Sequence, residues 1–161
     1  MTKAVYLAST EGGVGKSAIA LGLIEALART VQSVGVFRPV VKWRDDDAVT
    51  RTLVAQGPVK QSYDDAIGVS YAELAADPDE SMTRIVQRYA ALRERYEAIV
   101  VVGSDYGDVS APTEMNFNAR AERRISSALR PLPRTARMTG AFRFAAARAL
   151  KFISVGAETS P

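Results

Sequence analysis

The most informative feature of this sequence is what it lacks. There is no cysteine and no histidine among its 161 residues. Without cysteine there is no disulfide, no thiolate nucleophile and no zinc–thiolate site. Without histidine there is no Ser-His triad, and both the commonest general base and the usual metal ligand are missing. Any chemistry must therefore use carboxylates, lysine, backbone dipoles and a bound metal ion.

Long apolar runs are also absent. No stretch approaches the roughly 20 consecutive apolar residues that a membrane span needs. The first residues lead directly into an apolar segment without the form of a signal peptide, so we expect a cytoplasmic protein. An apolar fraction of 47% and a charged fraction of 24% are typical of a globular protein. The chain is long enough for one α/β domain with its own core.

A glycine-rich segment lies between a predicted strand and a predicted helix near the N-terminus. Its order, an apolar run, a glycine loop and an apolar-periodic segment, is typical of a phosphate-binding loop. Backbone N–H groups of such a loop form an anion-sized concavity, which the start of the helix reinforces. We expect Lys16 to reach the terminal phosphates and Ser17 to ligate Mg²⁺. The predicted nucleotide-binding residues of the loop are Thr10, Glu11, Gly12, Gly13, Val14, Gly15, Lys16 and Ser17.

The loop departs from the strict pattern at Thr10, where glycine is expected, and two groups of P-loop proteins tolerate that change. Partition-type ATPases have a signature lysine at the position of Glu11, and the inverted charge argues against that group. The loop resembles that of dethiobiotin synthetase at Thr10, Val14, Gly15, Lys16 and Ser17. The remaining alternative is a glycine-rich turn that binds nothing.

Two more apolar runs predict buried strands, at residues 34–41 and 98–102. The second run ends in Gly103, Ser104 and Asp105, at the sheet edge where open α/β folds bind ligands. We therefore predict Asp105 near the metal ion. With the helical segments, among them a Ser70–Glu73 capping box, these strands predict an α/β P-loop three-layer sandwich with a mostly parallel sheet.

Three aspartates at 45–47 precede a predicted helix at residues 48–55. For Asp45 and Asp46 the simplest interpretation is a solvated turn at the helix N-terminus, where carboxylates are favourable. Asp47 is the stronger candidate for a functional role, because of a family resemblance described next.

Several blocks, in order, resemble the N-terminal domain of long-form bacterial phosphate acetyltransferase, a P-loop module related to dethiobiotin synthetase. They lie within residues 1–120 and include YLASTEGGVGKSAIALGLIEAL, VGVFRPVV, AIVVVGSDYGDV and PTEMNFNAR. The resemblance implies that Arg38 faces the same anion as the loop and that Asp47 binds the metal ion with Ser17. Dethiobiotin synthetase has a metal-binding glutamate where this sequence has Val102, so either Asp105 takes over the binding of the metal ion or the metal-assisted chemistry is lost.

The C-terminal region departs from the family. Residues 1–118 carry 12 Lys and Arg against 16 Asp and Glu, whereas residues 119–161 carry 9 against 2. The apolar strand that the family has here is missing, so we predict a sheet that is incomplete on its C-terminal side. We divide the chain into a nucleotide-binding domain, 1–120, and a basic, partly helical tail, 121–161. The spacing within 140–154 is compatible with a helix that replaces a strand or pairs with a partner, and the simpler alternative is an adventitious basic segment that docks weakly or frays.

The resemblance implies a regulatory-type nucleotide-binding module that uses Mg²⁺ with ATP or another nucleoside triphosphate. The family's transacetylase site lies in a separate domain that this chain lacks, and a truncated or frameshifted gene is one explanation. Partners would be the nucleotide and either further copies of the chain or a transacetylase domain encoded elsewhere; no motif predicts a nucleic-acid or membrane partner. The alternatives are an ATP-dependent ligase like dethiobiotin synthetase and a truncated fragment that binds nothing.

Overall fold

A computed structural model describes residues 2–9, 15–104 and 150–155. The elements, in chain order, are β1 (Lys3–Ser9), α1 (Lys16–Ala28), β2 (Val34–Val41), α2 (Ala48–Val54), a single 3₁₀ turn (Asp64–Ala66), β3 (Ile67–Ser70), α3 (Tyr71–Ala76), α4 (Pro78–Arg95), β4 (Ala98–Val102) and β5 (Leu150–Val155). Within the described residues, no helix has the length and apolar character to cross a membrane.

The strands form one sheet in the order β3-β2-β4-β1-β5. The first four strands in that order are parallel, as expected for unbroken apolar runs that are buried on both faces. Strand β4 is central, and every one of its residues is buried. It lies between β1 and β2, so the chain passes over it when β1 connects to β2 through α1.

Helices cover both faces of the sheet and complete a three-layer α/β sandwich, as the sequence predicts. On one face α1 and α2 pack on alternate strand residues such as Leu7, Val36 and Val102. On the other face α4 packs on the intervening residues, among them Tyr6, Phe37 and Val101. Adjacent strand residues point to opposite faces, so β1, β2 and β4 contribute to both cores.

The short third strand is held at the edge of the sheet by local contacts. The capping box that the sequence predicts is formed: the backbone N–H of Ser70 donates to Glu73 over 2.7 Å, and the backbone N–H of Glu73 donates back to the Ser70 hydroxyl over 3.3 Å. At Gly68 a Cβ would overlap the carbonyl oxygen of Pro39 on β2, so only glycine fits this approach. Arg88 of α4 donates to the carbonyl oxygen of Ile67 over 2.9 Å.

The end of the tail differs from the sequence-based expectation. Residues 150–154 were expected to end a helix, but Leu150–Val155 forms strand β5, antiparallel to β1, with six residue pairs from Ala4–Val155 to Ser9–Leu150. The helical expectation is therefore wrong for these residues, while 140–149 lie outside the described residues. The segment contains Phe152, Ile153 and Val155, which favour strands, and the free edge of β1 supplies the backbone partners.

Candidate functional site

The start of α1 has the geometry expected for the end of a phosphate-binding loop. Gly15, the N-cap residue, has φ 77° and ψ 23°, in the left-handed region that glycine occupies without steric cost. Since glycine has no side chain, it gives the N–H groups of the first turn no side-chain cap, and that turn contains no acidic residue. These N–H groups and the helix dipole favour an anion at this end. The loop residues Thr10–Val14 lie outside the described residues.

Lys16 is the first residue of α1 and its side chain crosses to the end of β4. The residue is only 3% exposed. Its Nζ donates to the backbone carbonyl oxygen of Ser104 over 2.7 Å. Just before Ser104, the N–H of Gly103 donates to the carbonyl oxygen of Leu7 on β1 over 2.8 Å. The ammonium group is therefore held at the carboxyl edge of two adjacent parallel strands, where open α/β sheets bind ligands.

Arg38 lies on β2, and its side chain contacts Asp47, the N-cap residue of α2. The strand register places it level with the end of β4, since its neighbour Phe37 pairs with Val101. The residue is 4% exposed. Its Nε lies 3.1 Å from Oδ2 of Asp47, and its Nη2 donates to Oδ1 over 3.3 Å. The structure thus brings two of the predicted site residues into one buried ion pair.

Asp47 also caps α2. Its Oδ2 accepts hydrogen bonds from the backbone N–H of Thr50 over 2.8 Å and from the Thr50 hydroxyl over 2.6 Å. Its own backbone N–H donates to the Tyr63 hydroxyl oxygen over 2.7 Å. The two preceding aspartates are exposed, and Asp46 forms a surface ion pair with Arg51 at 3.2 Å. Asp45 and Asp46 therefore lie in the solvated turn that the sequence predicts.

The residues predicted to hold Mg²⁺ are not equally suited to it. Ser17 follows Lys16 in the first turn of α1, where a hydroxyl can reach an ion bound to phosphate oxygens. Both oxygens of the Asp47 carboxylate are already engaged by Arg38 and Thr50, and Asp105 lies outside the described residues. Within the described part of the chain, no group of three or more His, Cys, Asp or Glu residues could hold a metal ion.

Sequence reasoning missed the groups that hold the predicted residues in place. These are the Ser104 carbonyl that accepts from Lys16, the Thr50 side chain and the Tyr63 hydroxyl. One of them had a local signal, because Asp47 three residues before Thr50 matches a helix N-cap. The contacts of Ser104 and Tyr63 join distant parts of the chain and have no local signal.

Comparison with known proteins agrees with this architecture. A protein-family model described as "AAA domain" matches residues 3–125. The phosphate acetyltransferase of Synechocystis sp. is 28% identical over 127 residues, which cover 73% of this chain and 18% of that protein. The phosphate acetyltransferase of Nitratidesulfovibrio vulgaris is 26% identical over 127 residues, 74% of this chain and 18% of that protein.

The chain thus spans less than a fifth of the length of these curated relatives. No solved structure matches it significantly. The fold, the glycine at the head of α1 and the matched residues lead to one conclusion: this chain belongs to the AAA-domain family of P-loop proteins and matches the N-terminal domain of phosphate acetyltransferases.

Proposed function

We propose that this chain is a nucleotide-binding module of regulatory type. It binds ATP or another nucleoside triphosphate, and it works in the cytoplasm, where such nucleotides are abundant. The proposed phosphate-binding residues are Thr10–Ser17 together with Arg38.

The observation that carries the proposal is the position of Lys16. A buried ammonium group is held 2.7 Å from a backbone carbonyl at the carboxyl end of β4, directly after a left-handed glycine. A polyphosphate at the start of α1 would meet this ammonium and the N–H groups of the first turn together.

The proposal includes Mg²⁺ because the Ser17 hydroxyl can ligate it, and it does not require the protein to supply a full set of ligands. A phosphate-bound Mg²⁺ ion usually has one or two protein ligands and keeps several waters. The Ser17 hydroxyl would be one such ligand, and Asp105 is proposed as a second group near the ion. The ion would neutralise phosphate charge and so strengthen nucleotide binding.

The proposed partners rest on the relatives that the chain matches. The curated relatives are called phosphate acetyltransferases, and 18% of each matches this chain. We propose that the module binds a transacetylase domain or further copies of itself.

A titration of ATP tests the proposal. Binding is measured by calorimetry, with and without Mg²⁺, on the wild type, on Lys16→Ala and on Lys60→Ala. Loss of a charge-assisted contact at Lys16 should weaken ATP binding by about 10- to 100-fold. Lys60→Ala removes the same charge from an exposed position after α2 and should leave the affinity unchanged.

The outcomes separate the alternatives. Binding without turnover supports the module. ATP turnover that requires a diamino or carboxylic substrate would instead indicate a ligase like dethiobiotin synthetase. If the wild type does not bind ATP, the remaining interpretation is a truncated fragment that binds nothing.

A further inference from the structure

Arg38 has an unused donor in a buried place. Its Nη1 is inaccessible to solvent and has no hydrogen-bond partner in the described part of the chain. The other two nitrogens of the guanidinium face Asp47, at 3.1 Å for Nε and 3.3 Å for Nη2. A buried donor of a charged group that stays unpaired is costly, so such groups are nearly always satisfied. The free Nη1 therefore indicates the place of a missing acceptor.

Asp47 is not arranged to bind a metal ion. Its Oδ2 accepts hydrogen bonds from the backbone N–H and the hydroxyl of Thr50 at 2.8 and 2.6 Å, and Nε of Arg38 lies 3.1 Å from the same oxygen without a hydrogen bond to it. Nη2 of Arg38 donates to the remaining oxygen, Oδ1. A cation at Asp47 would have to displace the guanidinium and would then lie next to a buried positive charge. The geometry instead fits a carboxylate that holds an arginine in one orientation.

The position of Arg38 relates it to the proposed phosphate site. Strand β2 is the neighbour of β4 in the sheet, and adjacent strands lie about 5 Å apart. Lys16 Nζ lies at Ser104, two residues past the end of β4, and Arg38 is level with that end. One polyanion, or two anions side by side, can therefore meet both cations.

We propose that Asp47 is a positioning residue and not a ligand of Mg²⁺, and that Nη1 of Arg38, which it orients, binds an anionic oxygen of phosphate or carboxylate type. This inference rests on the proposed nucleotide-binding function and names the group that recognises a second part of the ligand. The anion is either the terminal phosphate of the nucleotide or a separate small anion bound beside it.

The test is a matched pair of variants, Asp47→Asn and Asp46→Asn. Each removes one negative charge, and Asp46 lies on the surface in the same turn. Calorimetry gives the affinities for ATP and ADP, each with and without Mg²⁺, and for inorganic phosphate with ADP already bound. Because Asp47→Asn could weaken the cap of α2, Arg38→Lys serves as a second variant, which keeps the charge but loses the oriented Nη1.

If the anion is the terminal phosphate, Asp47→Asn and Arg38→Lys should each lower ATP affinity by about 10-fold and ADP affinity little. The gain in affinity that Mg²⁺ provides should stay as in the wild type. If the anion is separate, both variants should leave the affinities for ATP and ADP unchanged. They should lower the affinity for inorganic phosphate when ADP is already bound. Asp46→Asn should match the wild type throughout.

Two results would overturn the inference. One is loss of the Mg²⁺ effect in Asp47→Asn with unchanged affinity in the absence of Mg²⁺, since that is the behaviour of a metal ligand. The other is unchanged binding of ATP, ADP and phosphate in both variants. Either result leaves the proposed function intact if Lys16→Ala still weakens ATP binding. Failure of the wild type to bind any nucleotide would overturn both proposals.

Discussion

Single residues at the head of α1 show how a local conformation requires one residue type. Gly15 has φ 77°, and a Cβ there would meet no atom of the described residues within 4 Å. The cost of a side chain at this position is therefore conformational and not steric. For a residue other than glycine, the left-handed conformation costs about 1–2 kcal/mol.

We expect Gly15→Ala to lower the free energy of unfolding by about 1–2 kcal/mol. Gly22 is the matched control, because it is exposed in the middle of the same helix and a Cβ there would also meet no atom within 4 Å. There alanine favours the helix, so Gly22→Ala should raise stability by about 0.5–1 kcal/mol. Urea unfolding of both variants measures the effects, and equal signs would contradict the left-handed conformation of Gly15.

Two buried tyrosines of the α4 face differ in how their hydroxyl groups are satisfied. The Tyr89 hydroxyl is buried and has no hydrogen-bond partner in the part of the chain that the structure describes. Burial raises the pKa of Tyr89 well above its ordinary value, so the group stays neutral. The Tyr96 hydroxyl, by contrast, donates to the carbonyl oxygen of Lys60 over 3.0 Å.

Tyr89→Phe should therefore be neutral or raise stability by about 1 kcal/mol, because it removes an unsatisfied polar group. Tyr96→Phe should lower stability by about 1 kcal/mol, because it removes a hydrogen bond and leaves the Lys60 carbonyl unpaired. Thermal unfolding of both variants measures these two changes in stability. If Tyr89→Phe is the more destabilising of the two, its hydroxyl has a partner in the native protein.

At the scale of elements, the carboxylate of Glu73 connects three segments of the chain. It accepts from Ser70 at the end of β3, and it pairs with Arg84 of α4 at 2.8 Å and with Arg44 after β2 at 3.5 Å. The backbone hydrogen bond from Ser70 is the main reason that the pKa of Glu73 lies below its ordinary value of 4.5, and the two arginines lower this pKa further.

This shift gives stability a pH dependence with a definite sign. The pKa of Glu73 is lower in the folded state than in the unfolded state. The contribution of its charge to the free energy of unfolding is therefore fully present above the ordinary pKa and is lost as the pH falls through the folded-state pKa. Glu73→Gln should cost about 1 kcal/mol at pH 7, as expected for loss of a cap contact. The difference from the wild type should shrink below pH 4.5.

Urea unfolding between neutral and acidic pH measures this difference. Glu94→Gln, at an exposed position on the same helix α4, is the control and should follow the wild type at every pH. A constant difference between Glu73→Gln and the wild type across the acidic range would show that the charge of Glu73 is not the source of its effect.

Most element boundaries of the first hundred residues were predictable from the sequence, because each has a local cause. The apolar run at Ala98–Val102, the capping box at Ser70 and proline at the start of α4 each act over a few residues. Strand β2 also has the predicted bounds, Val34–Val41, although it contains Pro39. Pairing with β4 stops at Phe37, so proline costs no hydrogen bond on that side.

At the scale of the whole molecule, the sheet is closed on one side by the end of the tail. Without β5, the edge of β1 would offer unpaired backbone groups along the strand that leads to the glycine loop. Exposed edges of this kind promote strand addition and aggregation. The six residue pairs between β1 and β5 therefore should contribute to both stability and solubility.

Deletion of residues 150–161 should lower the free energy of unfolding by at least about 1 kcal/mol, since several backbone hydrogen bonds are lost. It should also increase self-association, which light scattering after size exclusion can detect. Deletion of residues 156–161 alone leaves β5 whole and serves as the control. Equal stability of both deletion variants would show that β5 does not support the sheet.

The sequence by itself determined the order of strand, glycine segment and helix near the N-terminus, the parallel strands and the helix caps, because each depends on residue types within a few positions. Only the tertiary structure decided that the end of the tail is a strand and that Arg38 and Asp47 face each other. The apolar spacing before Val155 suits a helix as well as a strand, and the edge of β1, far away in the chain, selects the strand. The ion pair likewise depends on how β2 and α2 pack, which no local pattern contains.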